Sequence, residues 1–270
     1  MKWIFIWLLL LVHYAAHSQQ GNKLFINGYT HGLSEANLSE ANFLAGGLNP
    51  ACLGYTDSWN LQAGAMQSFL LKNLYNAHLA TDFRLNKNQV AGVSFYYGGK
   101  TIYHELQLTA AYSLRLAKHT YIGLALHGMS FVAPEVKAHY SGTFTLGIQS
   151  MIGEEVSLGM STFNPVGFFR EEKNNDLSRQ VALGVGYYPA DYLAFFLSGR
   201  LTNEYPLSIS GGVAYTINKR LQLYVSASSQ PAQFGVGIGY RLSDKSRLDL
   251  SATQHLQLGL SPAFSYAYGK

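Results

Sequence analysis

Charge is what this sequence has least of. Asp, Glu, Lys and Arg make up 13% of its 270 residues, about half the usual share of a soluble globular chain. A soluble β-protein of this length needs more charge to cover its surface, so the shortage argues against one. Cysteine is nearly absent as well. Cys52 stands alone, which excludes an internal disulfide framework. Beyond the first dozen residues no apolar run is long enough to span a bilayer as a helix. No Pro- or Ser-rich linker and no charge run divides the chain. The formal charge of +4 carries no basic cluster, so nucleic acid is not an expected partner.

Catalytic constellations are missing too. No G-x-S-x-G elbow occurs, because Ser94, Ser210 and Ser226 sit in alternating segments without that motif's flanking glycines. His104, His127 and His255 lie on or near expected strands, and only the fold could bring one beside a serine. The histidines lack metal-ligand spacing, and Cys52 has no Cys or His close by. No enzymatic activity, cofactor or metal is expected.

What is present begins with a leader. Lys2 supplies the positive start, Trp3 to Val12 the apolar run, and Ala16-His17-Ser18 the small-x-small pattern of a signal-peptidase site. Residues 1–18 are therefore expected to be a cleaved signal peptide, with the mature chain starting at Gln19. From Trp59 onward a period of two takes over. Phe234, Val236, Ile238, Tyr240 and Leu242 face one way; Gln233, Gly235, Gly237, Gly239 and Arg241 face the other. One greasy face and one small or polar face is the pattern of a membrane barrel strand. The 27 glycines, 19 tyrosines and 15 phenylalanines suit such a wall.

Counting these segments predicts strands near 59–67, 74–84, 89–97, 101–115, 119–131, 140–151, 155–164, 179–188, 192–201, 207–217, 220–228, 232–242, 246–254 and 256–268. The expected fold is all-β, a transmembrane antiparallel β-barrel of about fourteen strands over 59–270, with twelve and sixteen as the alternatives. Connections after even strands are tight. Those after odd strands include the two longest, around Val132–His139 and Pro165–Ser178. Short turns on the periplasmic side and longer loops outside are the habit of outer-membrane barrels. Residues 19–58 differ: glycines break any strand, Ser34–Ala45 has the makings of a short helix, and Phe43–Leu48 is too apolar to stand in water. A hatch plugging the barrel is the expected place for this segment.

Leader, Gly/Ala-rich segment ending in Gly46-Gly47-Leu48-Asn49-Pro50-Ala51, then some fourteen strands: this layout resembles the FadL superfamily of outer-membrane barrels. It is more similar still to the PorV/PorQ-type branch associated with type IX secretion, with PorP/SprF-type barrels a neighbouring possibility. The resemblance is architectural over the mature chain and reaches residues only at Asn49, Pro50 and Ala51, the hatch motif. It implies a Gram-negative outer membrane. It also implies one of two roles: an accessory or shuttle in protein secretion, placed first, or alternatively a channel for small hydrophobic molecules. Expected partners are outer-membrane lipid together with secretion-system proteins or hydrophobic small molecules.

Further residues stand out as site candidates. Arg84, Arg115, Arg220, Arg241 and Arg247 fall within about four residues of an expected periplasmic turn, most on the lumen-facing set. They snorkel to the rim, pair with the hatch, or bias a pore toward anions. Arg200 is expected nearer the other rim, and Asp82, Glu105 and Asp249 are the acids of the same face. Phe83-Arg84-Leu85-Asn86-Lys87, Leu114-Arg115-Leu116-Ala117-Lys118 and Tyr240-Arg241-Leu242-Ser243-Asp244-Lys245 repeat one hairpin motif. Pro262 interrupts the last strand's donors, as a local bulge or as a kink in the wall. FadL-type transporters release cargo through a wall gap, which gives Pro262 its interest.

Overall fold

The computed structural model describes residues 27–99, 103–133, 136–168, 177–203 and 207–269. The expected leader and mature start lie outside them. The described chain is one closed antiparallel barrel in which each strand pairs with its sequence neighbours and the last pairs with the first. The strands are β1 (Trp59–Gln67), β2 (Tyr75–Asn86), β3 (Gln89–Gly99), β4 (His104–Ala117), β5 (Thr120–Ala133), β6 (Val136–Ile152) and β7 (Val156–Phe163). The second half comprises β8 (Gln180–Ala190), β9 (Leu193–Thr202), β10 (Ser208–Thr216), β11 (Leu221–Ser229), β12 (Ala232–Ser243), β13 (Ser246–His255) and β14 (Gly259–Gly269). The fourteen expected strands are all present.

Alternation decides the faces. On β5, Leu124 and Leu126 point out and are 38% and 55% exposed, while Tyr121 and Ala125 point in and are buried. The same parity sets Phe95, Leu108, Leu183, Leu197, Val236 and Phe264 outward. A wall that shows water this much Leu, Val and Phe would aggregate; facing lipid, it is at home. Tyr112, Tyr187, Tyr215 and Tyr240 form the outer aromatics at the tight-turn end, with Tyr75, Tyr103 and Tyr140 at the other, the two girdles of a membrane interface.

Connections after even strands take two to four residues, and those after odd strands two to sixteen. One expected long loop is not a loop. β5 and β6 extend as paired strands to Ala133 and from Val136, past a register shift after Phe131, because each continues to find ladder partners. The three recurring hairpin motifs share one geometry. Register shifts follow Arg84, Arg115 and Arg241, and each arginine's amide donates to the carbonyl of a neighbouring turn or strand start, at Ser58, Asn88 and Arg220. The motif encodes a bulged turn.

Residues 27–58 lie inside the lumen. Three short helical pieces succeed one another: α1 (Gly28–Gly32) and 3-10 turns at Phe43–Ala45 and Pro50–Tyr55. Each opens on an asparagine whose side chain accepts an orphan amide: Asn27 from Thr30, Asn42 from Leu44, Asn49 from Ala51, the usual N-cap arrangement. The helix expected over Ser34–Ala45 does not form. Ser34 and Glu35 adopt φ of 49° and 60°, a left-handed conformation that ends a right-handed helix. Tyr29, Leu33, Ala36 and Leu44 pack on Phe196, Ala214, Tyr224 and Ala267 of the wall.

A charge on the outer wall tests the lipid-facing assignment. Leu126→Arg, in the middle of β5, is expected to lower stability by about 2–4 kcal/mol in urea unfolding from lipid vesicles. Leu126→Ile should change it little.

Candidate functional site

The hatch motif sits over a stretch of wall bared by glycine. Asn49 is fully buried; its Nδ2 donates to Ile148 O of β6 at 2.9 Å and to Leu38 O at 3.4 Å, while Oδ1 accepts from Ala51 N at 3.1 Å. Ser113 Oγ of β4 donates to Ala51 O at 3.1 Å. Pro50 fills the first helical position, where its missing N–H costs nothing. This approach is possible because Gly123 and Gly147 face it. A Cβ on Gly147 would lie 2.1 Å from Asn49 Oδ1, and one on Gly123 2.3 Å from Ala51 N. Cys52, next in line, is buried, and burial pushes its thiol pKa up, so it is an inert packing group.

A second anchor is polar. Glu40 accepts hydrogen bonds from Tyr29 Oη at 3.0 Å and Asn37 Nδ2 at 2.8 Å. Arg247 lies over the Tyr29 ring, 4.4 Å from its centroid, and is ion-paired to Asp249 at 2.7 Å. Tyr224 Oη donates to Asp249 Oδ1 at 3.2 Å. Hatch and wall are thus joined through an aromatic face carrying a cation rather than through a direct hatch–wall ion pair here. Elsewhere there is such a pair: Arg200 of β9 meets Glu35 at 2.5 Å. Burial raises the Glu40 carboxyl to about 7 from an ordinary 4.5, although the Asn37 and Tyr29 hydrogen bonds pull the other way.

The five arginines expected near the rim do different things. Arg84 gives its guanidinium to Gly54 O, Thr56 O and Asp57 O at 2.7, 2.7 and 2.9 Å, clamping the chain as it leaves the hatch. Arg115 closes its own turn on Ala117 O and Lys118 O. Arg247 serves the hatch as described. Arg220 and Arg241 are exposed at the tight-turn end. Glu105 bonds Tyr103 near the opposite end. Glu35, Glu40, Tyr29 and Asn37 carried no signal in the sequence, because their partners are either distant or set by an irregular local turn.

Pro262 marks the seam of the barrel. Pairing of β14 with β13 runs unbroken through it, opposite Ala252, so no bulge forms. Pairing with β1 ends one residue earlier, at Met66 opposite Ala263. Beyond that point a 3-10 turn, Ser68–Leu70, replaces β1. One backbone-to-side-chain bond ties it to β14, Phe69 N to Ser261 Oγ at 2.9 Å. Phe69 and Leu70 hold φ of 56° and 55°, which costs roughly 1–2 kcal/mol per residue. His31 of the hatch reaches the same place, its Nε2 being 3.2 Å from Ser261 O and 3.1 Å from Thr253 Oγ1.

Recesses of about 450 and 430 Å³ open at the tight-turn end, one beside Asn42, Phe43 and Leu44 and one beside Ala41; deeper in, the remaining space is small. A cavity of about 70 Å³ lies between Phe43, Pro50 and Leu53 of the hatch and the lumen faces of β1 to β6.

No protein-family model and no curated protein matches the chain in sequence. Solved structures do match in shape. A Pseudomonas aeruginosa FadL homologue superposes with a TM-score of 0.67 at 10% identity, covering 90% of this chain and 98% of its own. The CymD monoaromatic hydrocarbon channel gives 0.64 at 10% identity, over 92% and 98% of the two chains. The Pseudomonas putida toluene transporter TodX gives 0.62 at 10% identity, over 82% and 92%. The chain has the fold of the FadL-type outer-membrane channels. At these identities the likeness is one of fold, and function must be read from the barrel's own residues.

Two outcomes test the anchors. Gly147→Ala and Asn49→Ala should each raise hydrogen–deuterium exchange across residues 28–55 while leaving the heat-modifiable gel mobility of the folded barrel intact. Loss of the Asn49 cap alone is worth about 0.5–2 kcal/mol. Because folding raises the Glu40 pKa, its contribution is fully present below about 4.5 and is lost as pH climbs through about 7. Exchange in the hatch, corrected for the intrinsic pH dependence of amide exchange, should therefore show falling protection between pH 5 and pH 8, and Glu40→Gln should flatten that dependence.

Proposed function

We propose that this protein is an outer-membrane channel admitting small hydrophobic molecules, with the hatch filling the lumen at rest and the β1–β14 seam serving as a side exit into the membrane. The observation that carries this reading is the shared contact at Ser261. Its hydroxyl holds the Phe69 turn over the seam and its carbonyl meets His31 of the hatch. A shift of the hatch therefore reaches the seam through one residue. The cavity of about 70 Å³ is about half the ~150 Å³ that accepts a benzene ring, so passage of such cargo requires the hatch to give way. An apolar solute leaving through the seam enters lipid without crossing the polar tight-turn end, where Arg220 and Arg241 stand.

The secretion-accessory role, placed first on the strength of Asn49-Pro50-Ala51, takes second place. The structural neighbours described above are a FadL homologue, a hydrocarbon channel and a toluene transporter, and the seam gives a channel a use that an accessory does not need. Copurification of secretion components from native outer membranes would restore the first order.

Toluene uptake into proteoliposomes tests the channel. A disulfide between Phe69→Cys and Ser261→Cys, which staples the turn across the seam, is expected to cut uptake at least tenfold, and reductant should restore it. Equal uptake in the locked and reduced states, or none above protein-free vesicles, would sink the reading.

A further inference from the structure

Along one row of the lumen wall, register places Asp82 beside Gly92, Gly92 beside Ala111, and Ala111 beside Ala125. Ala80 adjoins this row. Side chains this small leave the wall thin, and the hatch residues Phe43 and Leu53 above do not fill the space, which is why a cavity persists there. A purely apolar void would need no occupant. This one contains a carboxylate.

Asp82 is 3% exposed. Its Oδ1 rests over Gly92, where a Cβ would come within 2.2 Å, and its Oδ2 has no hydrogen-bond partner. The other acids facing the hatch region are all engaged: Asp249 by Arg247, Glu35 by Arg200, Glu40 by Tyr29 and Asn37. The arginine nearest in sequence, Arg84, has committed its guanidinium to the carbonyls of Gly54, Thr56, Asp57 and Lys87. Asn60 hydrogen-bonds this carboxyl, yet Oδ2 stays without a donor, and a buried carboxyl oxygen left so is costly.

The far end of the cavity repeats the demand. His78 lies four residues from Asp82 on β2, about 13 Å along the strand, and its Nδ1 is unpartnered. Gln107, in the same row across β3, spends its Nε2 on Thr109 and His127, leaving Oε1 without a donor. The lining thus offers an unpaired acceptor at each end, Asp82 Oδ2 at one and Gln107 Oε1 at the other. Donors must come from an occupant. By size, about 70 Å³ holds roughly five water-sized bodies, so the occupant is compact.

We propose that the Asp82 cavity is a binding site for a small primary ammonium compound, its N–H groups donating to Asp82 Oδ2 and its short alkyl part lying on Ala80 and Ala111. The site does not rest on the channel reading, since that concerns the seam and apolar cargo.

Equilibrium dialysis of radiolabelled methylammonium against the full-length protein in detergent tests the proposal. Saturable binding is expected, weakened at least tenfold by Asp82→Asn. It should be abolished by Ala111→Leu, which fills the cavity while leaving the carboxylate in place; heat-modifiable gel mobility confirms that both variants are folded. Tetramethylammonium, a cation without N–H donors, should not compete. Absence of saturable binding to the wild type, meaning that water alone fills the cavity, would overturn the proposal. So would unchanged binding in Asp82→Asn, or competition by tetramethylammonium as strong as by unlabelled methylammonium. Toluene uptake measured on the same preparations reports on the channel separately.

Discussion

The structure depends on one constraint: in lipid, no backbone N–H or C=O can be left without a partner. A sheet with this greasy exterior satisfies it by closing on itself, and the fourteen strands do so with β1 against β14. Everything else is arranged around that closure. Side chains alternate because the wall has a lipid face and a lumen face. The lumen, too wide for wall side chains alone to fill, takes the N-terminal segment. Where β1 stops short and Pro262 lies beside the gap, the closure is thinnest, and the Ser68–Leu70 turn supplies what the ladder no longer does.

The hatch is held by contacts of different kinds at different depths. Near the tight-turn end Arg84 clamps its exit with charge-assisted hydrogen bonds. In the middle, Asn49 reaches a wall carbonyl over bare glycine. Around α1, an aromatic face, a cation and a buried acid make a network whose strength varies with protonation. Buried polar networks of this sort are firm when complete and costly when broken. That combination suits a part which must seal and yet be displaced.

The wall was legible in the sequence because its rule is local. Period two with an apolar outside leaves little freedom in Phe234 to Leu242, and tight turns mark the ends of strands. The Arg-containing hairpins were legible as hairpins for the same reason. Which of those arginines touches the hatch was not. Arg84 and Arg241 each follow an aromatic and precede a leucine in the same hairpin motif with the same lumen-facing parity, and what separates their roles is where the hatch chain runs. The hatch obeys no period, and its anchors join Asn49 to Ile148 and His31 to Ser261 across more than ninety residues. Ser34–Ala45 read as helix because propensity cannot anticipate two left-handed residues. Asp82 read as one acid among several; that its Oδ2 lacks a donor is a property of partners engaged elsewhere.

The glycines of the lumen face have one more meaning. Gly123 and Gly147 lie under Asn49 and Pro50, and Gly159 and Gly184 under Leu38 and Ser39. Together they form a cast of the segment that lies on them. Substitutions on the two sides of such a cast are coupled and do not add. In any relative of this chain, a side chain gained at the position of Gly147 must be matched by a displaced or shortened residue at that of Asn49. Paired variation between a hatch position and a wall position a hundred residues away would then trace the path of the plug in barrels whose structures are unknown.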